Sequence, residues 1–162
     1  MDTQKILDDC LALQQSFASV LLASVDQHSE PLVSYAPYVT DRGSYFVFVS
    51  ELALHTQNML LTKQASLMFI ESEKAAKNPY ARQRVVIQAK VEVVDDQLLI
   101  DLLFAKMEQE HGKTIRLLQN LTDFKMLRLK PTRGRYIIGF GKAYVWDVQA
   151  NTMKHIKSET KG

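Results

Sequence analysis

The side chains best suited to bind a ligand follow an apolar, strand-like segment, SYFVFVS. The next residues, ELALHTQNM, place His55, Thr56 and Asn58 within one helical turn. An imidazole, a hydroxyl and an amide so close together either satisfy the free backbone N–H groups at a helix start or form the floor of a binding site. The position directly after a strand leaves both interpretations open.

Further groups could hold an anion. Ser50 is predicted to cap a short helix over residues 52–61, and the free N–H groups of that helix N-terminus suit a carboxylate or phosphate. Side chains alternate along an extended segment, so Arg82 and Arg84 are expected to share one side of it. Together they form a candidate anion clamp. The alternative is that both arginines are simply solvated at the start of a strand.

Strands make up most of the elements that position these groups. Apolar residues at helical spacing predict a first helix over residues 3–16, and a later pair of helices joined by Gly112. A closing hairpin around KPTRG, formed by DFKMLRLK and RGRYIIGFGKAYVWDV, is expected to end the fold. The preceding strands, the first three as a meander, are predicted at 18–25, 31–39, 44–50, 64–72 and 84–95.

Antiparallel strands with helices between them and at one end indicate a mainly β fold of barrel type, with six strands. A flat open sheet would leave long hydrophobic edges exposed. The 162 residues suit a single domain, predicted over residues 1–150, followed by a C-terminal tail over 151–162. A barrel of this size could also bury surface by dimerising.

Composition narrows the classes of partner. No apolar run approaches the length of about 20 residues that crosses a bilayer, and the acidic N-terminus lacks the features of a signal peptide. A cytoplasmic protein without membrane insertion is therefore expected. The formal charge of +2 is too small to indicate nucleic-acid binding. The lone cysteine, Cys10, is predicted to be a buried thiol.

Four stretches together carry a resemblance to a known family: SVDQHSEPLVSYAPYV, SELALHTQNMLLTKQASLMFIE, YARQRV, and the pair LTDFKMLRL with GRYIIGFGKAY. In their order they resemble the FMN-binding split-barrel superfamily that includes pyridoxamine 5′-phosphate oxidase. Within it the chain is most similar to the haem-utilisation branch, the HugZ/HutZ type. The likeness covers about residues 17–147. It implies a six-stranded antiparallel split β-barrel of Greek-key order, forming a homodimer with ligand clefts between the barrels.

The phosphate-binding side departs from the oxidase pattern. The resemblance places His55 where the oxidase has a lysine that helps to hold the flavin phosphate. The strand SYAPYV contains neither the arginine nor the lysine that the oxidase uses there. A haem propionate or porphyrin edge depends less on fixed positive charges at these positions than a flavin phosphate does. Haem is therefore the expected cofactor and FMN the alternative.

For haem, the resemblance implies roles for two C-terminal residues. In haem-degrading members the axial histidine lies beyond the last long strand, where this chain has His155. A disordered basic tail is the alternative. Asp123 matches a carboxylate that reaches across the dimer to the axial histidine, although a plain turn residue would look the same. His28 and His111 are predicted to be a turn residue and a helix-end residue, not ligands.

The resulting expectation is a homodimeric haem-binding protein that degrades haem oxidatively with O₂ and an external electron donor. His155 would bind the iron, with Asp123 behind it, while Arg84 would hold a propionate and His55 and Asn58 would donate hydrogen bonds. Two alternatives remain: an FMN-dependent oxidoreductase and a non-catalytic haem carrier or store.

Overall fold

Alternation of buried and exposed side chains organises the structure, a computed structural model that describes residues 2–157. In the first strand Val20, Leu22 and Ser24 are buried while the residues between them are exposed. This period of two is the pattern that a half-buried strand requires. The described residues form nine strands: β1 Ser19–Val25, β2 Pro31–Pro37, β3 Val39–Asp41, β4 Ser44–Ser50, β5 Gln64–Ile70, β6 Arg84–Val93, β7 Phe124–Gly139, β8 Lys142–Asp147 and β9 Thr152–His155.

The helices begin and end at residues with capping chemistry. Asp2 accepts the backbone N–H of Gln4 at 2.9 Å, and Asp96 caps a later helix in the same way. Gly112, at φ +84°, ends that helix. The helices are α1 Thr3–Gln15, α2 Leu54–Thr62, α3 Gln97–His111 and α4 Thr114–Gln119, with a 3₁₀ turn at Pro79–Ala81. The predicted first helix and the helix pair around Gly112 are thus confirmed. Across residues 2–157, every helix is too short or too polar to cross a bilayer.

The strand order is that of a Greek key. The hydrogen-bonded order is β2-β1-β5-β6-β7-β4-β3, with β8 added to β7 and β9 to β8. Strands β5, β6 and β7 are successive neighbours, and β4 lies on the far side of β7. β2 packs beside β4 without being its hydrogen-bonded neighbour, so the sheet curls into an incompletely closed barrel. The predicted mainly β, antiparallel fold with accessory helices is confirmed.

The inward faces of the strands form the main hydrophobic core, and α1 covers one end of it. Ile6, Leu7 and Cys10 of α1 are buried against this core. Burial raises the pKa of the Cys10 thiol to about 12, because a thiolate would have to leave water. Cys10 is therefore a buried thiol, as predicted. A smaller cluster joins the inner side of α3 to Phe46 and Met126.

The predicted hairpin around KPTRG is wrong. β7 runs without interruption from Phe124 to Gly139. Pro131 lacks a backbone N–H, and the register against β6 shifts there, so that Gln88 pairs with Arg133 and Ala89 with Pro131. The extra residue, Thr132, donates its hydroxyl to the Gln88 carbonyl at 3.1 Å. A bulge thus accommodates the proline inside a long strand. The true turn lies at Phe140 and Gly141, directly after Gly139 ends β7, whereas both glycines were predicted to lie inside one strand.

Two other expectations need revision. The third predicted strand does not continue a meander, because β4 pairs with β3 and β7, not with β2. The sheet also continues into the region predicted as a tail: Thr152–His155 pairs with β8, whereas residues 158–162 lie outside the described residues. Nine strands replace the six of the expected barrel. Short β3 and β9 had no local signal, and the boundary between the last two strands lies after Gly139 instead of at KPTRG.

Candidate ligand-binding cavity

A largely apolar cavity of about 500 Å³ lies where β2 and β4 approach each other beneath α3 and α4. Its apolar walls come from every one of these elements, and they include Tyr35, Phe48, Met107, Ile115, Leu118 and Phe124. Its polar groups are Ser50, His55, His111 and Thr114. A concave apolar site with a few polar groups is the usual form of a small-molecule pocket.

His55 lies in the first turn of α2, as predicted, and lines the cavity. Its Nδ1 is 2.8 Å from the Ser34 hydroxyl on β2, which holds the ring against the strand. Partial burial lowers the pKa of His55, because the imidazolium would lose solvation. Its Nε2 makes no hydrogen bond within residues 2–157, so a neutral ring can present that nitrogen to a ligand.

Ser50 joins the cavity to Asp123. The Ser50 hydroxyl donates to Asp123 Oδ2 at 2.5 Å and accepts the Leu52 N–H at 3.1 Å. The Glu51 N–H donates to the Asp123 carbonyl at 2.6 Å. The predicted helix-capping role of Ser50 is wrong, because α2 begins at Leu54, with Ala53 at its N-cap position and no side-chain cap. Ser50 instead fixes the Asp123 carboxylate at the rim.

Thr56 and Asn58 face away from the cavity. Thr56 is fully buried, and its hydroxyl has no hydrogen-bond partner among the described residues. Asn58 donates from Nδ2 to the Ser24 hydroxyl of β1 at 3.2 Å. Both side chains are directed into the barrel wall. The structure therefore separates them from His55, with which they were predicted to act.

Arg82 and Arg84 also lie outside the cavity, at the start of β6. Arg82 donates from Nε and Nη2 to the Glu71 carbonyl, at 3.0 and 2.6 Å, and so secures the loop before it. Arg84 makes a single hydrogen bond within the described chain, from Nη1 to the Arg82 carbonyl at 3.0 Å. Arg84 thus keeps donors for a ligand, whereas Arg82 is occupied by the fold.

His155 lies on β9, not in this cavity. Its Nε2 donates to the Gly141 carbonyl at 2.8 Å, and its ring packs edge-on against Tyr144 at 5.1 Å between centroids. The side chain is exposed at the edge of the sheet. Within one chain the structure therefore does not bring His155 together with His55 and Asp123.

His111 lines the cavity, although its place after the charged run EQE predicts only a helix-end residue. It does end α3. However, it follows the buried Leu103 and Met107 at intervals of four residues, and this spacing places all three on one helix face. Its Nε2 donates to the Tyr38 carbonyl at 2.9 Å. That spacing was the signal that could have identified it.

The outer face of the sheet carries a row of mainly apolar side chains, which Arg135 interrupts. Cross-strand pairing links Tyr35 to Leu21, Leu21 to Met68, Met68 to Val86, and onward through Arg135 to Val145. Tyr35 is 64% exposed and neighbouring Val33 is 77% exposed. Such a surface is typical of a protein–protein interface.

The cavity residues fit a haem better than a flavin phosphate. The apolar walls suit a porphyrin ring. The two imidazoles in the lining, those of His55 and His111, suit its propionates. A flavin phosphate is usually held by fixed cations, and no lysine or arginine of the described chain lines this cavity. No group of three or more residues suited to a metal site was found within residues 2–157. A haem iron would therefore rely on an isolated imidazole.

The Greek-key order, the incomplete closure at β2 and the helices over the ends define a split β-barrel. The chain belongs to the pyridoxamine 5′-phosphate oxidase family, whose model matches residues 6–138.

Within this family the chain is similar to proteins named for haem. The heme oxygenase HutZ of Vibrio cholerae is 39% identical over 132 residues, which cover 81% of this chain and 75% of HutZ. A crystal structure of HutZ, described there as a heme storage protein, has a TM-score of 0.75 and 34% identity and covers 86% of this chain and 96% of that one. The crystal structure of Campylobacter jejuni ChuZ has a TM-score of 0.87 at 24% identity and shows the shared fold. It covers 97% of this chain, which spans 64% of the length of ChuZ.

Proposed function

We propose that this chain binds haem at a cleft between two copies of the barrel and degrades it oxidatively. The observation that carries the proposal is the apolar cavity with His55 and His111 in its wall and no fixed cation among the described residues that line it. The similarity to HutZ, a protein named for heme, supports the same ligand.

A second copy of the chain is proposed to complete the site. The exposed row from Tyr35 to Val145 crosses β2, β1, β5, β6, β7 and β8. Two copies of the chain could pack these rows against each other across a two-fold axis. A two-fold axis parallel to the strands near the middle of this row would place β8 and β9 of one copy over β2 of the other. His155 of one copy would then approach the cavity beside β2 of its partner.

The remaining roles follow from the hydrogen bonds that the described chain leaves open. Asp123 keeps Oδ1 free of hydrogen bonds within residues 2–157, so it can accept one from a histidine of the second copy and increase its electron donation to iron. Arg84 keeps Nε and Nη2 for a propionate. Ligation through His155 Nε2 requires its bond to the Gly141 carbonyl to break, whereas Nδ1 already carries a lone pair.

When bound, haem supplies the iron at which O₂ is activated, and an external donor supplies the electrons. The residues of the chain exclude bulk water and hold the ring. The apolar walls pack against the macrocycle, His55 Nε2 offers a hydrogen-bonding group at its edge, and Ser50 keeps Asp123 in place. Asn58 and Thr56 support the barrel wall behind α2 and have no ligand role.

A non-catalytic haem store is the second candidate, and the description of HutZ as a heme storage protein favours it. Binding and turnover depend on different features, so the same cavity serves either function. An FMN-dependent oxidoreductase is the alternative that the family match suggests. The absence of lysine and arginine from the described cavity lining argues against it.

Haem titration followed by reduction in air distinguishes the three. Purified protein is titrated with haemin and then treated with ascorbate. The proposal expects a Soret band that decays after ascorbate addition; a persistent band indicates storage, and flavin absorption in the purified protein indicates the oxidoreductase. His155→Ala is expected to shift the Soret band, whereas the exposed turn variant His28→Ala is a matched control. An unshifted band in His155→Ala overturns the ligand assignment.

A further inference from the structure

The cavity has no permanent positive charge, although its proposed ligand is an anion. Among the described residues that line it, only His55 and His111 can become cationic. Burying a carboxylate against apolar walls without a counter-charge is costly. Arg84, which lies outside the cavity, is proposed to hold one propionate, so the lining itself can supply a further cation only by protonation of an imidazole.

Each of these rings is anchored through one nitrogen. His55 Nδ1 is 2.8 Å from the Ser34 hydroxyl, and His111 Nε2 donates to the Tyr38 carbonyl at 2.9 Å. Because a carbonyl can only accept, neutral His111 carries its proton on Nε2 and a lone pair on Nδ1. His55 Nε2 and His111 Nδ1 make no hydrogen bond within residues 2–157. Each ring can therefore change its charge without losing its anchor.

His111 also gives the cavity a connection to water. It lines a second, more polar groove of about 440 Å³, which Tyr38, Lys106 and Glu110 also line. His111 belongs to the walls of both spaces. The His111 ring can therefore take a proton from water in this groove and carry the resulting charge at the cavity wall.

We propose that the cavity takes up its planar anionic ligand together with protons, and that His55 and His111 are the residues that accept them. This inference rests on the proposed function for the identity of the ligand. Each proton moves from solvent water to a ring nitrogen, and the imidazolium then pairs with a carboxylate of the ligand. No covalent bond to the ligand forms or breaks.

The surroundings of His55 favour its neutral form until a ligand arrives. Burial lowers the pKa of His55, so the empty cavity favours its neutral form at neutral pH, and an incoming carboxylate opposes that effect. Most charged groups nearby are already paired or hydrogen-bonded: Asp123 with Ser50, Glu51 with Lys125, Lys106 with Asp41, and Arg116 with Glu108. Glu110 lies close to Tyr38, where its negative charge adds to burial in raising the pKa of the Tyr38 hydroxyl.

Proton uptake can be measured directly without turnover. Zinc protoporphyrin IX, which carries the propionates but does not activate O₂, is titrated by fluorescence between about pH 6 and pH 8.5, a range that brackets imidazole titration. Calorimetry at pH 7 in buffers of different ionisation enthalpy then counts the protons taken up. We expect uptake of about one proton, with affinity falling by up to about tenfold per pH unit for each proton as pH rises.

Conservative variants assign the protons to the rings. His111→Gln keeps an N–H donor for the Tyr38 carbonyl but cannot titrate, and His55→Gln does the same beside Ser34. Each is expected to reduce the proton count, and the double variant to abolish it. His55→Lys installs a fixed cation and should bind the porphyrin more tightly than the wild type at pH 8. His28→Gln, in an exposed turn, is the control and should leave the proton count unchanged.

The outcomes separate this inference from the proposed function. Porphyrin binding to the wild type without proton uptake, or undiminished uptake by the folded double variant, overturns the proton linkage and leaves the haem site standing. No binding of zinc protoporphyrin or haemin to the wild type overturns the proposed function itself. Thermal unfolding of each variant verifies that it is folded.

Discussion

Gly134→Ala tests how tightly β7 and β8 pack, because the structure leaves no room for a methyl group there. A Cβ at residue 134 would lie 2.6 Å from Cε3 of Trp146 on the paired strand. Carbon atoms in contact are normally about 3.5–4.0 Å apart, so the overlap is close to 1 Å. Trp146 is buried, and its Nε1 donates to Asn151 Oδ1 at 3.3 Å, which restricts its movement.

The loss of stability caused by Gly134→Ala can be bounded. Overpacking of this kind destabilises by about 1–3 kcal/mol. Gly134 does not have a positive φ, so alanine also gains about 0.4–1 kcal/mol by restricting the unfolded chain. The net loss is expected to be about 1–2 kcal/mol, which lowers Tm by about 2–8 °C for a domain of this size.

Thermal and urea unfolding of a double-mutant cycle measure this effect. In a Trp146→Leu background, where the indole is absent, Gly134→Ala should be neutral or slightly stabilising. The clash is refuted if Gly134→Ala stabilises the wild type, or if it destabilises both backgrounds equally. Stabilisation of the wild type would leave restriction of the unfolded chain as the dominant effect of the substitution, whereas equal destabilisation of both backgrounds would show that the indole is not the cause.

Three further expectations concern other parts of the chain. The Cys10 thiol, with its pKa raised to about 12 by burial, should resist a thiol reagent at pH 8 in the native protein and react at once in urea; rapid native labelling would contradict its burial. Arg82→Met removes two hydrogen bonds to the Glu71 carbonyl and should cost about 1–2 kcal/mol, seen as faster proteolysis of the loop over 72–78, with Arg84→Met as the milder control. Because burial lowers the folded-state pKa of His55, the unfolded chain binds the extra proton more readily, so stability should fall as pH drops through and below about 6.5, the ordinary value for histidine. His55→Gln should remove part of this acid sensitivity, and an unchanged pH profile of Tm would show that the ring is not desolvated.

The sequence predicted the elements better than their connections. Alternation located β1, β4, β5 and β6, and the spacing of apolar residues together with Gly112 located α3 and α4. The hairpin expected at KPTRG failed because a proline and glycine form a strong local turn signal, whereas the bulge that keeps Pro131 in β7 depends on the partner strand β6. Pairing of β4 with β7 spans more than seventy residues and leaves no local trace.

The site was predicted in part for a similar reason. The position of ELALHTQNM after a strand end predicts His55 as a ligand-binding residue and Ser50 as a helix cap beside an anion. Both residues line the cavity, although Ser50 is not the cap. Thr56 and Asn58 were assigned with them because the sequence does not fix the rotation of a short helix about its axis. His111 was missed because its helix packs over the cavity from a distant part of the chain, and the spacing from Leu103 and Met107 was read only as a helix signal.

The length of β7 has a consequence for biosynthesis. One edge of β7 pairs with β6, and the other pairs first with β4 and then with β8. On the ribosome, β4 can pair only with short β3 until residues beyond 124 have emerged. The other edge of β4 therefore stays unpaired while about seventy further residues are made. Non-local pairing of this kind slows folding and exposes strand edges to aggregation. Truncated nascent chains that end before β7 should therefore depend on chaperones, and complete chains should not.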